Sequence, residues 1–300
     1  MIGIFDSGFG GLTILKSIRQ RLPEYDYLYL GDNARAPYGT RSFEVVYEYT
    51  WQAVSYLFSQ GCPLVILACN TASAKALRSI QQQNLPAVWA EECVMHDRSQ
   101  HSTLGSQLST LSSQLHRVLG VIRPTAEVIG SFTKTNHVGV LATEGTVRSD
   151  SYPLEIAKLF PDIVVRQQAC PMWVPLIENN EHDSAGADYF VSKYIDSILS
   201  ADPLIDTLLL GCTHYPLLLN KIEDHLSTLP RWRERGGKVL TQGALVADSL
   251  ADYLRRHPDI EQACTRGGTV TCLTTESSQR FSDSAAIFLS EPVSATHVEL

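Results

Sequence analysis

The sequence has little positive charge and no long hydrophobic run. Its 24 Lys and Arg residues are outnumbered by 32 Asp and Glu residues, so the formal net charge is −8 at pH 7. An acidic protein has no basic field to gather phosphates, which argues against a nucleic-acid partner. No apolar run approaches the roughly 18 residues of a membrane span, and the opening "MIGIFDSGFGG" lacks the charged and apolar regions of a signal peptide. We therefore expect a soluble, cytoplasmic protein with no membrane or nucleic-acid partner.

The sequence also lacks the paired cysteine motifs of disulfide-rich and zinc-binding proteins. Its seven cysteines are odd in number and irregularly spaced, and no C-x-x-C occurs among them. Such usage is typical of reduced thiols. We expect no metal site, and free cysteines that can react as thiolates.

Strand and helix patterns alternate along the chain. The predicted strands are 2–8, 26–32, 63–71, 86–90, 137–143, 162–169 and 206–212. The predicted helices are 11–21, 41–60, 72–83, 147–159 and 184–200. The strand segments are continuously apolar, as expected when helices cover both faces of a parallel sheet. The pattern predicts an α/β fold with mainly parallel, doubly wound sheets.

One segment interrupts this alternation and divides the chain into two similar α/β units. Residues 92–118 are rich in Ser, Gln and His, and leucines keep a helical spacing through them at 104, 108, 111, 115 and 119. We predict an inserted polar amphipathic helix there. The first domain is predicted to comprise 1–91 and 235–300, the second 92–234. A polar crossover at 229–239 would return the chain to the first domain.

Polar side chains follow the predicted strands at their carboxyl ends. Two strands, one in each half, end in a cysteine with polar neighbours, as Cys69-Asn70-Thr71 and Cys212-Thr213-His214. Other strand ends carry Asp6-Ser7, Asp32-Asn33 and Thr143-Glu144. In parallel α/β sheets ligands bind beyond these ends, and a cysteine that enters a helix N-terminus is favoured as a thiolate. A single cysteine is usually a small buried hydrophobe, but the repeated arrangement indicates a catalytic pair.

Five segments together resemble one known family. They are "GIFDSGFGGLT", "YLGDNARAPYGTRS", "ACNTASA", "TEGTVRS" and "LLGCTHYPLL". In this order they are similar to the glutamate racemases, cofactor-independent members of the aspartate/glutamate racemase superfamily. The resemblance implies a two-domain isomerase with its active site in the cleft between the domains. It also implies that the enzyme supplies D-glutamate for peptidoglycan, and so serves cell-wall biogenesis and cell shape.

The resemblance assigns the catalytic roles to four residues. Racemisation needs a base on one face of the α-carbon and an acid on the other, and two thiols in opposite protonation states meet that need. By resemblance, Cys69 acts on D-glutamate and Cys212 on L-glutamate, while Asp6 near Cys69 and His214 near Cys212 assist proton transfer. From the residues alone, Asp6 is equally compatible with a turn or helix cap, whereas a structural role is the favoured interpretation of His214.

Small polar groups are expected to hold the substrate. The positions that match the family's binding residues are Asp6, Ser7, Pro37, Tyr38, Gly39, Thr40, Asn70, Thr71, Glu144, Thr213 and His214. Their hydroxyls, amides and backbone N–H groups can hold carboxylates, and Glu144 could bind the substrate ammonium. The 37–40 segment is also explicable as a loop that needs Pro and Gly for its shape alone.

The sequence gives no sign of a cofactor. In "GFGGLT" Thr13 stands at the last glycine position of a dinucleotide fingerprint, and no lysine lies in a recognisable pyridoxal phosphate context. The α-carbanion would then be stabilised by the protein itself. We expect glutamate as the small-molecule substrate and no cofactor.

Two regions bear on assembly. We expect a homodimer, but Arg123 and Thr125 stand where the family commonly has a Glu-Pro-Gly element, which puts an inherited dimer contact or regulatory site in question. The C-terminal segment 277–290 resembles the family's closing helix, with Phe281, Ala285 and Phe288 packing against the first domain.

Alternative functions remain open at this stage. The nearest is a racemase of aspartate or another amino acid. A cysteine-dependent decarboxylase or hydrolase on the same fold is a different reaction class, and a one-cysteine decarboxylase is disfavoured because both strand ends retain a thiol. A non-catalytic amino-acid-binding relative would need neither thiol.

Overall fold

The computed structural model describes residues 1–86, Val88 and 116–300. Its strands are β1 Ile2–Asp6, β2 Tyr27–Gly31, β3 Leu64–Leu67, β4 Arg117–Gly120, β5 His137–Ala142, β6 Val164–Ala169, β7 Thr207–Gly211, β8 Lys238–Leu240, β9 Val270–Thr274 and β10 Ala295–His297. Its helices are α1 Gly11–Arg21, α2 Phe43–Ser59, α3 Asn70–Lys75, α4 Leu77–Ser79, α5 Ile122–Val128, α6 Glu144–Arg148, α7 Ser151–Leu159, α8 Trp173–Glu178, α9 Ala185–Ala201, α10 Leu219–Ser227, α11 Pro230–Glu234, α12 Gly243–Arg256, α13 Pro258–Ala263 and α14 Ser278–Leu289. Short 3₁₀ or π turns occur at Asn33–Arg35, Ile80–Asn84, Ile129–Ser131 and Tyr215–Leu218.

The first sheet has six parallel strands in the order β10-β9-β2-β1-β3-β4. Its central strand β1 is buried on both faces. Ile2 and Ile4 pack in the same cluster as the buried face of α1, whereas Phe5 packs in the cluster that contains Val46 and Ala53 of α2. Alternation of side chains along a strand explains this division, and helices on both faces explain the continuous apolar runs.

The second sheet has four parallel strands in the order β6-β5-β7-β8. Its central strands β5 and β7 are almost wholly buried. Both sheets are parallel and flanked by helices, so the predicted fold class is confirmed. No helix within the described part of the chain has the length and apolar character of a membrane span.

Two strands lie on the other side of the predicted domain boundaries. Residues 117–120 form β4, which pairs with β3 in the first sheet, and 238–240 form β8, which pairs with β7 in the second. The boundaries at 91/92 and 234/235 are therefore wrong for these strands, because partners distant in the chain decide which sheet a short strand joins. The rest of the domain division stays a prediction.

Three described residues between 86 and 119 also differ from the prediction. Pro86 and Val88 are helical, so the strand predicted at 86–90 is wrong at its described residues. Leu119, which was expected on the inserted helix, lies in β4. The other leucines of that helix, at 104, 108, 111 and 115, lie outside the described residues.

Two other helices begin or break at different residues from those predicted. The segment predicted as one helix at 147–159 is two helices, α6 and α7, separated at Asp150 by a left-handed backbone conformation with φ 51°. Helix α3 begins at Asn70 rather than 72, with Cys69 as its N-cap residue.

The predicted C-terminal helix forms as α14. The side chains of Phe281, Ala285 and Phe288 are buried in the cluster that includes Tyr29 of β2, and the ring of Phe281 lies 5.4 Å from that of Phe9. Packing against the first sheet is thus confirmed.

Candidate active site

The carboxyl ends of the two sheets face one cavity of about 320 Å³. All the sequence-predicted site residues line it, namely Asp6, Ser7, Pro37, Tyr38, Gly39, Thr40, Cys69, Asn70, Thr71, Glu144, Cys212, Thr213 and His214. Residues at or just beyond the ends of β1 and β3 of the first sheet therefore meet residues that follow β5 and β7 of the second. The structure brings the predicted set together, while the role of each residue stays a prediction.

Cys69 lies where β3 passes into α3. Its side chain is 6% exposed, its Sγ is 3.3 Å from Ser7 Oγ, and it accepts a hydrogen bond from the Ala72 N–H at 3.4 Å. Burial, and next the negative charge of Asp6, raise the pKa of the Cys69 thiol to about 12, although the bonds from Ser7 and Ala72 oppose this. Cys69 is therefore a thiol in the unliganded protein at neutral pH.

Asp6 is the last residue of β1 and lies near this thiol. Its Oδ2 accepts from the Gly8 N–H at 2.9 Å. Burial raises the pKa of Asp6, against the opposing effects of His214 and of the N–H groups of Gly11 and Gly8. A side chain at position 11 would place its Cβ 2.6 Å from the Asp6 Cβ, so the start of α1 can approach the carboxylate only as glycine.

Cys212, His214 and Glu178 form a chain of polar contacts on the second sheet's side. The Cys212 Sγ is 3.9 Å from His214 Nδ1, and His214 Nε2 is 3.0 Å from Glu178 Oε1. Burial disfavours protonation of His214, but the hydrogen bonds to Cys212 and Glu178 outweigh it and hold the pKa of His214 well above its ordinary value. An imidazolium with both N–H groups in use can donate a proton to a Cys212 thiolate, and the neutral imidazole can take that proton back.

A glycine makes the close approach to His214 possible. A Cβ at Gly10 would lie 2.3 Å from His214 Nδ1 and 2.5 Å from Thr213 Oγ1. Since no side chain fits there, the "GFGG" segment is explained by close packing at the site rather than by nucleotide binding.

Glu178 was missed by the sequence reasoning. It lies on α8, after the end of β6, whereas the acidic residue expected near the site was Glu144. The expectation that site residues follow the carboxyl ends of strands points, for β6, to Cys170, which also lines the cavity. Nothing local marks Glu178, because its contact with His214 joins residues 36 positions apart.

The 36–40 loop is anchored outside the cavity. The Tyr38 hydroxyl donates to Asp32, which also accepts from Arg35 Nε at 2.6 Å and from Thr275 Oγ1 at 2.8 Å. Tyr38 is 1% exposed and its hydroxyl is directed at Asp32, so this side chain helps to fix the shape of the loop. Gly39 lies against Thr143 of the second domain.

The remaining predicted residues connect the two halves. Thr71 Oγ1 is 3.1 Å from Thr143 Oγ1, and the Thr213 carbonyl accepts from Thr13 Oγ1 at 2.9 Å. Asn70 hydrogen-bonds with Tyr152 and Gln242. Within the described residues, no three His, Cys, Asp or Glu side chains converge as a set of metal ligands.

Known proteins resemble the chain over its whole length. A glutamate racemase of Ruegeria sp. strain TM1040 is 38% identical over 288 residues, which are 96% of this chain and 96% of that protein. Among solved structures, a glutamate racemase isoform of Bacillus anthracis matches 100% of this chain and 97% of its own with a TM-score of 0.79 and 29% identity. The glutamate racemase of Francisella tularensis, solved in complex with D-glutamate, matches 100% and 96% with a TM-score of 0.75 and 27% identity. No family model matches the chain.

Proposed function

The chain belongs to the glutamate racemase family, and on this premise we propose that it interconverts L- and D-glutamate by a two-base mechanism in which Cys69 and Cys212 exchange protons with the α-carbon. It is an amino-acid racemase, an isomerase. The observation that carries the mechanism is that two thiols, from the ends of strands in different sheets, line the same cavity.

In the L-to-D direction, the Cys212 thiolate removes the α-proton of L-glutamate and becomes a thiol. The Cys69 thiol then donates its proton to the opposite face of the carbanion and becomes a thiolate. One proton leaves the α-carbon and another is added to its opposite face, so the configuration is inverted while the composition of the substrate is unchanged. The enzyme is left with the protonation states that the reverse direction needs.

The two thiols have different surroundings, which suit these roles. Cys69 has a raised pKa and is held as a thiol, ready to donate. Cys212 lies beside the His214–Glu178 pair, which can accept or return its proton. In the D-to-L direction, the substrate ammonium brings positive charge next to Cys69 and favours its thiolate. Asp6, whose pKa is raised by burial, is proposed to take up the proton that Cys69 loses.

Hydrogen-bond donors would stabilise the carbanion and hold the carboxylates. Ser7, Asn70, Thr71 and Thr213 line the cavity beside the thiols, and fixed donors aimed at developing negative charge are a large source of catalysis. Glu144 lies on the same cavity and is proposed to bind the ammonium.

We also propose a cellular role. D-Glutamate made in the cytoplasm would supply peptidoglycan synthesis, and so cell-wall biogenesis and cell shape. The support is the similarity to bacterial glutamate racemases. We further propose that the enzyme acts as a homodimer.

The substrate is tested by circular dichroism of L- and D-glutamate with purified protein and no added cofactor. We expect both enantiomers to decay to the racemate. Aspartate is assayed in parallel. Turnover of aspartate alone would retain the mechanism and replace the substrate, whereas glutamate binding without turnover would favour the binding-protein alternative.

Replacing Glu178 by glutamine should lower kcat for both enantiomers by roughly 10-fold to 100-fold, since proton-transfer groups typically contribute 10²-fold or more. Glutamine can still hydrogen-bond to His214 but cannot balance its positive charge, so the pKa of His214 falls. The kcat–pH profile measures this effect. Glu127→Gln, which removes an exposed carboxylate paired with Arg123, is the control. A wild-type kcat and pH profile in Glu178→Gln would refute the assigned role.

A further inference from the structure

Three buried polar side chains close a hydrogen-bond ring next to the cavity. The Tyr152 hydroxyl donates to Asn70 Oδ1 at 2.7 Å, Asn70 Nδ2 donates to Gln242 Oε1 at 2.6 Å, and Gln242 Nε2 donates to the Tyr152 hydroxyl at 2.8 Å. Each residue donates once and accepts once in the same sense around the ring. Such cooperative networks polarise and strengthen their bonds.

The ring joins segments that are far apart in the chain. Asn70 begins α3 beside Cys69, Tyr152 lies on α7 of the second domain, and Gln242 precedes α12 on the return to the first sheet. The side chains are 2%, 0% and 2% exposed, respectively. Water therefore cannot easily replace a bond that is lost.

Gln242 is itself anchored on the second domain's side. Its Nε2 also lies 3.0 Å from the Val121 carbonyl and 3.3 Å from Thr125 Oγ1. Thr125 is one of the two residues that depart from the family's Glu-Pro-Gly element, and here it is fully buried. These contacts fix which end of the Gln242 amide faces Asn70.

The direction of the ring fixes the Asn70 amide as well. Its oxygen is occupied by the Tyr152 hydroxyl and one N–H by Gln242. Turning the amide over would set oxygen against the Gln242 oxygen, which is repulsive. Among the described residues, Asn70 has no partner for its second N–H, and that donor suits a carboxylate.

We propose that Tyr152 and Gln242 are positioning residues for racemisation, which orient Asn70 so that its second N–H donates to a carboxylate of glutamate. This inference rests on the proposed function. Because the ring spans both domains, it also holds the α3 end that carries Cys69 in register with the second domain. Neither Tyr152 nor Gln242 lines the cavity, so both act through Asn70.

A double-mutant cycle tests the proposal, with Tyr152→Phe, Asn70→Ala and the double variant. We expect Tyr152→Phe to raise KM for both enantiomers by about tenfold, corresponding to the loss of one oriented hydrogen bond. In the Asn70→Ala background the same change should have no further effect on kcat/KM. The proposal is overturned if the losses in kcat/KM of the two single variants multiply in the double variant, or if Tyr152→Phe keeps the wild-type KM.

Controls separate this role from general destabilisation. Tyr27→Phe removes a buried hydroxyl bond to the Leu22 carbonyl away from the cavity, and it should lower thermal stability with KM unchanged. If Tyr152→Phe does not fold, Gln242→Leu is used in the same cycle and the same criteria apply. Turnover of glutamate by the wild-type protein is measured throughout. Its absence would refute the proposed function, whereas the variants test only the positioning role of the ring.

Discussion

Cys69→Ala and Cys212→Ala should each abolish racemisation in both directions, with kcat/KM falling by about 10³-fold or more. Both thiols act in every turnover, one as base and the other as acid, so removal of either stops inversion whichever enantiomer is supplied. The two enantiomers have equal free energies in solution, so kcat/KM must fall by the same factor in both directions. Polarimetric progress curves from L- and D-glutamate measure this.

The remaining thiol should still remove a proton from one enantiomer. In deuterated buffer, we expect Cys69→Ala to exchange the α-proton of L-glutamate without inversion, and Cys212→Ala to do so with D-glutamate. Cys62→Ala is the control, because Cys62 is a buried thiol of the α2 side of the first sheet and does not line the cavity. Racemisation at the wild-type rate by either single variant would contradict the two-base mechanism. Exchange of D-glutamate by Cys69→Ala and of L-glutamate by Cys212→Ala would contradict the assigned faces.

Alkaline pH should destabilise the folded protein steeply. Burial is the main cause that raises the pKa of Cys62 and Cys264 to about 11 and of Cys69 and Cys272 to about 12, from an ordinary value of 9.0. Below pH 9 these thiols are protonated in both the folded and the unfolded state, so their contribution to the free energy of unfolding is fully present. As pH rises from 9 through 11 and 12, the unfolded chain ionises first and the contribution is lost.

The expected loss is about 1.4 kcal/mol of unfolding free energy per pH unit for each such thiol. Buried tyrosines such as Tyr152, whose pKa is also raised mainly by burial, add a loss of the same sign above pH 10. Urea unfolding at pH 8 to 11 measures the slope. In Cys272→Ala, which removes one thiol without adding bulk to the buried site, the free energy of unfolding should fall less steeply with pH, by one thiol's share. A free energy that does not fall above pH 9 would show that these thiols ionise as readily in the folded state.

Much of the fold and the candidate site could be predicted from local sequence. Continuous apolar strands gave the parallel sheets, and polar residues at strand ends gave one shared cavity, because the carboxyl ends of parallel strands meet on one edge of a sheet. Cys69 and Cys212 were found in this way, since each follows the end of a strand of a different sheet.

The rest depends on contacts between distant residues. Arg117–Gly120 carries no strong strand signal, yet it adds to β3 as an edge strand. Glu178 and Gln242 are ordinary helix-region residues in sequence, and only packing brings them to His214 and Asn70. Tyr38 lines the cavity as expected, but its hydroxyl donates to Asp32, and nothing in the local sequence marks that partner.

The central claim is that different groups remove and return the α-proton, and the fate of that proton tests it most directly. L-Glutamate with a normal α-proton is incubated with wild-type protein in deuterated buffer and stopped after a few per cent of conversion, and the enantiomers are then separated and weighed by mass spectrometry. The account predicts that the newly formed D-glutamate carries deuterium, because Cys69 brings a solvent-derived proton to the opposite face, while the remaining L-glutamate keeps its proton. D-Glutamate that retains the original proton would contradict the account, because it would mean that a single group carries the proton from one face to the other.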